Sequence, residues 1–281
     1  MTTLDAEGPN AAQAAYWNET VGPAWVAMQD ALDAQLRALG EAAMAVLAPV
    51  AGETLLDIGC GCGDTTLELA RRVGAGGRVI GADISAPMLG VAKARAEAAG
   101  LSWARFREAD AQVADFEPAG GAFSRFGVMF FADPAAALAN IRRALTPGGR
   151  LAFVCWRALA QNPWMGAPGA AVAPLLPPGQ PPPDPFAPGP FAFAERDRLH
   201  GFLKAAGFAD IAIEPHDAAI RWPDLDTAVR LALHVGPAGT ATREHPDLRD
   251  AIRAAVREAL AAHADSAGVS LPSATWVVRA R

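Results

Sequence analysis

Asp57, Gly59, Gly61 and Gly63 alternate with small side chains in Leu55-Leu56-Asp57-Ile58-Gly59-Cys60-Gly61-Cys62-Gly63-Asp64. A short apolar run ends in a carboxylate, a glycine-rich loop follows, and Asp64-Thr65-Thr66 open a helical pattern. The spacing predicts a buried strand, a tight turn and a helix start. Glycine tolerates positive φ and lets bare backbone approach a ligand. Asp64 or Thr65 is placed to act as the N-cap of the helix. Such a strand-loop-helix junction, at the carboxyl end of a strand in an open α/β sheet, is where nucleotide-type ligands bind.

The spacing also decides among nucleotides. A dinucleotide fingerprint needs a third glycine where Asp64 stands, and a P-loop needs a Lys-Ser/Thr pair that is missing here. Acids on both sides of the glycines disfavour a pyrophosphate and suit a cationic ligand. The run resembles the first motif of the class I S-adenosylmethionine-dependent methyltransferases, (Asp/Glu)-x-Gly-x-Gly-x-Gly, at all its fixed positions.

The resemblance implies S-adenosyl-L-methionine as cofactor and gives roles to further residues. Asp83, closing Arg78-Val79-Ile80-Gly81-Ala82-Asp83, matches the acid that receives the ribose hydroxyls. Ile84 matches the apolar contact to adenine. Met88 packs on the ring's other side or belongs simply to the core. Asp110, with Ala111 beside it, matches the acid that receives the adenine amino group. Pro147-Gly148-Gly149 matches the turn before the fifth strand. Within the superfamily the chain looks most like the small-molecule branch that holds the ubiquinone and menaquinone biosynthesis enzymes. Ser124-Arg125-Phe126-Gly127-Val128-Met129-Phe130-Phe131 resembles a run in that branch. Ala119-Gly120-Gly121 departs from the family's Phe-Asp and suggests a short or distorted fourth strand.

The elements that must position these residues alternate as βαβα, which predicts a doubly wound, mostly parallel, seven-stranded sheet of Rossmann-like type. Helices are expected over 30–47, 64–73, 87–99, 133–145 and 195–206. Strands are expected at 54–58, 78–82, 103–107, 121–126, 150–156, 209–214 and 274–279. The organisation reads as an N-terminal lid segment (1–29), a cofactor-binding core (30–156) and a C-terminal part (157–281). Lid insertions are expected near 161–192 and 224–268, the second with helical stretches at 224–234 and 246–263. The first holds the run Leu175-Leu176-Pro177-Pro178-Gly179-Gln180-Pro181-Pro182-Pro183, which proline keeps from being helix or interior strand. All three pieces leave from the rim where the ligand lies.

Composition narrows the partner. A charge of −6 with no basic face argues against nucleic acid, whose backbone needs clustered Lys and Arg. The expected partner is a small-molecule acceptor, lipophilic if Trp156, Trp164, Phe186 and Phe191 line its pocket. The aromatic start Tyr16-Trp17-Asn18-Glu19 with Trp25 either walls the methionine end or staples the N-terminus. Three cysteines and the lack of an apolar leader or membrane-length run point to the cytoplasm. Cys60 and Cys62 fill variable loop positions, and no remote cysteine pair completes a metal site. The sequence does not fix the oligomeric state.

No catalytic base is evident. Positioning alone can lower a bimolecular barrier by about 7–11 kcal/mol, so methyl transfer does not require one. The five histidines are scattered and read as surface or helix-packing residues, with His234, at the end of an expected lid helix, the least unlikely base. Two rival functions remain: a nicotinamide-dependent oxidoreductase on a similar sheet, and a non-catalytic protein that keeps the cofactor site.

Overall fold

Residues 8–177, 184 and 186–281 are described by a computed structural model of the chain. Helix α1 (Ala11–Ala15), a π-helical turn (Tyr16–Thr20), α2 (Gly22–Ala27) and the long α3 (Gln29–Leu47) precede the sheet. The core then runs β1 (Thr54–Ile58), α4 (Asp64–Val73), β2 (Arg78–Asp83), α5 (Ala86–Ala98), β3 (Ala104–Glu108) and β4 (Ala119–Arg125). After it come α6 (Pro134–Ala144), β5 (Leu145–Trp156), α7 (Pro163–Val172), α8 (Arg196–Ala205) and β6 (Ala212–Trp222). The chain closes with α9 (Leu225–Ala232), α10 (Gly236–Glu244), α11 (Arg249–Ala261), the two-residue β7 (Ala264–Asp265) and β8 (Gly268–Ala280).

The sheet order is β3-β2-β1-β4-β5-β8-β6, with β7 paired to β8. Strands β1 to β5 pair in parallel, while β8 runs antiparallel between β5 and β6. Parallel strands covered on both faces carry continuous apolar runs rather than alternation. Leu55 and Leu56 of β1, Phe123 of β4 and Phe153 of β5 are accordingly fully buried. The order reverses between β1 and β4, which makes their carboxyl ends the ligand-binding crevice of such a sheet. Pro215 is tolerated in β6 because that strand forms the sheet's edge.

The doubly wound sheet follows the expected pattern, and the expected distortion of strand four has a definite form. Pairing between β4 and β5 slips between Ala119 and Gly121, so Thr146–Gly149 loops out around Gly148 at φ +79°. The Pro-Gly-Gly turn therefore lies inside the pairing rather than ahead of it. Arg150 then anchors this end through two bonds to Glu53, at 2.8 and 2.9 Å.

Other expectations need correction. Strands β6 and β8 extend far beyond 209–214 and 274–279, because their outer halves pair with each other and, at Gly268 and Val269, with the short β7, and carry half-exposed positions that hide the strand pattern. Helix α7 forms inside the first insertion with Pro163 at its start and Pro168 within it. Helix α10 forms in the second, opening on Gly236-Pro237. Residues 1–7 of the N-terminal segment, and 178–183 and 185 of the Pro-rich insertion, lie outside the described residues.

Candidate functional site

At the carboxyl end of β1 the backbone turns through Gly59, Gly61 and Gly63, each at positive φ. Gly59 is the tightest. A Cβ there would come within 2.7 Å of the Cα of Gly127, beyond the end of β4. Ser124 reinforces this approach, its hydroxyl donating to the Ile58 carbonyl at 2.7 Å. Gly59→Ala is expected to destabilise the fold by about 1–2 kcal/mol from left-handed strain alone, before any clash, which thermal unfolding would register.

Asp83 closes the loop from the side. Its carboxylate accepts from the Gly61 amide at 2.8 Å and the Ser85 amide at 2.9 Å. Burial raises its pKa, against the pull of these amides. Ile84 is half-buried beside it, and Met88 is buried with its methyl facing Gly61.

Asp57 faces elsewhere. It is fully buried and accepts from the hydroxyls of Thr65 at 2.7 Å and Thr66 at 2.6 Å, which ties β1 to the first turn of α4. Thr65 is thus occupied, and the residue preceding α4 is Gly63, so neither Asp64 nor Thr65 is the N-cap. Burial pushes the Asp57 carboxyl up to about 6, despite the two hydroxyls. The native state then holds this proton more tightly than the unfolded chain does. The resulting stability is fully present below about pH 4 and is lost as pH rises through about 6. The lost contribution is on the order of 3 kcal/mol. Asp57→Asn is expected to remove this share of the slope, seen as a urea midpoint that falls less between pH 4 and 7 than in the wild type, with Asp33 and Asp83 still contributing.

Asp64 belongs to a charge network under the loop. Arg125 donates to Asp64 at 2.9 Å and to Asp33 of α3 at 2.8 Å. Arg95 of α5 donates to Asp33 and to the Cys62 carbonyl, both at 2.9 Å. Gly40 of α3 makes room, since a Cβ there would lie 2.8 Å from the Arg125 side chain. Asp64 is therefore neutralised by arginines and, contrary to expectation, does not favour a cationic ligand through its charge. Asp33 and Arg95 carry no local signature, while Ser124, Arg125 and Gly127 fall in the run Ser124–Phe131 already singled out in the sequence.

The N-terminal segment lies across the same rim. Asn10 is buried and donates to Asp110 at 2.8 Å, while its oxygen accepts from the Ala132 amide. Gln112 completes the cluster through Asn10 and the Asp133 amide. Asn18 brackets the turn after β2, donating to the Ile84 carbonyl and accepting from the Ala86 amide. Trp17 packs edge-on against Trp25 and Phe130. Ala111 is buried, and its carbonyl accepts from Asn140.

Aromatic side chains extend from the loop toward the insertions. Phe126, at φ +59°, stacks on Trp156 with centroids 4.1 Å apart, and Trp156 meets Trp164 at 5.0 Å. Asn162 fastens α7 to β8 through the Ala274 backbone. Beyond Trp164 a pocket opens against Trp222 and Gln35. Trp222 donates to the Gln35 oxygen at 2.9 Å, and the Gln35 nitrogen is buried without a partner. An unsatisfied buried donor costs about 1–3 kcal/mol. Of the other aromatics, Phe186 is exposed under Arg198, and Phe191 packs partly buried on the core.

His234 lies exposed at the end of α9 with Nδ1 2.7 Å from the Arg230 carbonyl. Among the described residues no histidine is buried. Burial pushes both loop thiols up, Cys62 to about 12, so they are neutral filler near pH 7.

A sequence profile described as a methyltransferase domain matches residues 55–149. The demethylmenaquinone methyltransferase of Thermus thermophilus is 45% identical over 105 residues, 36% of this chain. That match spans 46% of the relative, less than half its length. The nocamycin O-methyltransferase of Saccharothrix syringae is 31% identical over 226 residues, 77% of this chain and 80% of that enzyme. This chain belongs to the S-adenosylmethionine-dependent methyltransferases. A methyltransferase candidate from Bacillus halodurans shares the fold, with a TM-score of 0.56 at 18% identity over 86% of this chain and 97% of that one.

The methyltransferase's rim fits the cofactor of its family. At Gly61 a side chain would fill the space in front of Met88, its Cβ only 2.9 Å from the Met88 methyl. Carboxylates at Asp83 and Asp110, about one strand apart, are acceptors suited to ribose hydroxyls and an exocyclic amine. Among the described residues no helix is long and apolar enough to cross a membrane.

Proposed function

We propose that this methyltransferase moves a methyl group from S-adenosylmethionine to oxygen or carbon of a small lipophilic acceptor in the cytoplasm, and that it does not act on nucleic acid. The cofactor, when bound, supplies a methyl group already activated by a sulfonium. Asp83 accepts the ribose hydroxyls, and Gly59, Gly61 and Gly63 present bare backbone to the ligand. Ile84 and Met88 flank the adenine. Asp110 and Ala111 meet its edge once Asn10 gives way, and Asp57 holds the loop from beneath. Residues 1–29 and the insertions at 161–192 and 224–268 serve as lids on the core at 30–156, excluding water from the transfer.

The observation that carries this reading is the length of the match to the nocamycin enzyme. At 226 residues it must reach well beyond residues 55–149, into segments that we assign to the lids. The same observation favours oxygen, because that relative is named an O-methyltransferase. The test is S-adenosylhomocysteine release with a panel of phenols, enols and reduced quinones. Acceptor-dependent release supports the proposal. Tight cofactor binding without turnover on any acceptor would leave the non-catalytic reading standing instead.

A further inference from the structure

We propose that Asn18 is a positioning residue for the cofactor, its carboxamide holding the turn that aims Asp83 at the ribose. The role rests on the methyl-transfer reading, in which Asp83 receives the ribose hydroxyls, and adds a residue of the N-terminal segment to that site. Asp83 does not hold its own place. One carboxylate oxygen accepts from the Gly61 amide and the other from the Ser85 amide, so its pose follows the turn Ile84-Ser85-Ala86. A serine at an N-cap ordinarily turns its oxygen onto an amide of the first helical turn. Ser85 precedes α5 and makes no such bond, and its hydroxyl donates instead to the Trp17 carbonyl at 2.9 Å.

Asn18 supplies what the turn lacks. Its Oδ1 accepts from the Ala86 amide at 2.9 Å, and its Nδ2 donates to the carbonyls of Ile84 and Ala14, both at 2.8 Å. These partners fix the orientation of the carboxamide, because a backbone N–H only donates and a carbonyl only accepts. Carbonyl, hydroxyl and amide of three successive residues are thus held by Trp17 and Asn18, from 66 to 68 positions away. The joint is built for close approach. Tyr16–Thr20 forms a π-helical turn, with the Val21 amide reaching back to the Tyr16 carbonyl at 2.9 Å. Single wide turns of this kind are rare and recur at functional sites. At Gly22 a Cβ would fall 1.9 Å from the Trp17 carbonyl oxygen and 3.0 Å from the Ser85 hydroxyl, so glycine lets the segment seat. Trp17 already gives the segment apolar contact with Trp25 and Phe130, and the directed bonds onto one turn add geometry to it. A fixed turn keeps the remaining lone pairs of Asp83 where ribose hydroxyls arrive, so binding need not order them.

The test is a double-mutant cycle of Asn18→Ala with Asp83→Ala, titrated with S-adenosylhomocysteine, alongside the Gly61 amide proton resonance of the unliganded protein. Asn18→Ala is expected to weaken binding about 3- to 10-fold in the wild-type background and less than about twofold in Asp83→Ala, because its effect passes through that carboxylate. The Gly61 resonance should move in Asn18→Ala toward its position in Asp83→Ala, while that of Gly148, at the amino ends of the strands, stays in place. Ser85→Ala severs the same joint from the core side and should repeat both results, which keeps the proposal testable if Asn18→Ala does not fold. A loss of equal size in both backgrounds would make Asn18 a fastener of the N-terminal cover and overturn the proposal. Unchanged affinity, or a Gly61 resonance that does not move, would overturn it too. If wild-type protein binds no S-adenosylhomocysteine, the methyl-transfer reading fails, and the Gly61 resonance alone decides whether Asn18 positions Asp83.

Discussion

Replacing Arg125 with methionine is expected to lower the unfolding free energy by about 3–5 kcal/mol, the usual result of removing one partner from a buried ion network. Arg125 is the link between Asp33 and Asp64, and all three side chains are nearly enclosed. Without it, Asp33 keeps Arg95 at 2.9 Å, and Asp64 keeps only the longer contacts to Arg37 at 3.5 Å and Arg95 at 3.6 Å. The pKa of Asp33 is already raised by burial, against the pull of Arg125 and Arg95. Removing Arg125 raises it further, so the deficit should shrink as pH falls and Asp33 takes up its proton. Urea unfolding across pH 4 to 8 checks both points. A loss below about 1 kcal/mol, typical of exposed pairs, would show that water rather than protein solvates the network.

Replacing Asp83 with alanine is expected to weaken S-adenosylhomocysteine binding about tenfold to a hundredfold, with little change in fold. A hydrogen bond to a charged group contributes about 1.5–3 kcal/mol, and tenfold in affinity is about 1.4 kcal/mol. Asp83 also orders the loop through the Gly61 amide, so part of the loss reflects a less preorganised site. Asp83→Asn separates the two roles: it retains an acceptor for the amide and loses the charge. Calorimetry should place its affinity between those of the wild type and the alanine variant. Unchanged affinity in Asp83→Ala would remove Asp83 from the cofactor site.

The cofactor half of the molecule was legible because it is local. The strand Thr54–Ile58, three glycines at fixed spacing and the helix Asp64–Val73 encode their turn within twenty residues. What escaped depends on long-range encounters. Asp33 and Arg95 gave no signal until the fold closed them with Asp64 and Arg125 into one network. Asp57 and Asp64 pointed toward a cationic ligand through a charge argument. In the structure Asp64 is neutralised by arginines and Asp57 is buried on threonine hydroxyls. The cofactor assignment rests instead on the loop pattern and on the chain's relatives.

The insertions were less legible for a different reason. Proline suppressed any helical reading of 161–192, yet α7 tolerates Pro168, which is buried in its packing. Gln35 gave no signal, since a glutamine in an alanine-rich helix is unexceptional without sight of Trp222, 187 positions away. The N-terminal aromatic cluster offered two readings, a cofactor wall or a staple. Asn10 and Asn18, rather than the rings, make its polar contacts with the rim.

The most direct test of the central claim is a calorimetric titration of wild-type protein with S-adenosylhomocysteine, and separately with NADH. Saturable one-to-one binding of S-adenosylhomocysteine and no binding of NADH are expected. Silence toward S-adenosylhomocysteine, or tighter binding of NADH, would contradict it and return the glycine loop to the dinucleotide-binding proteins.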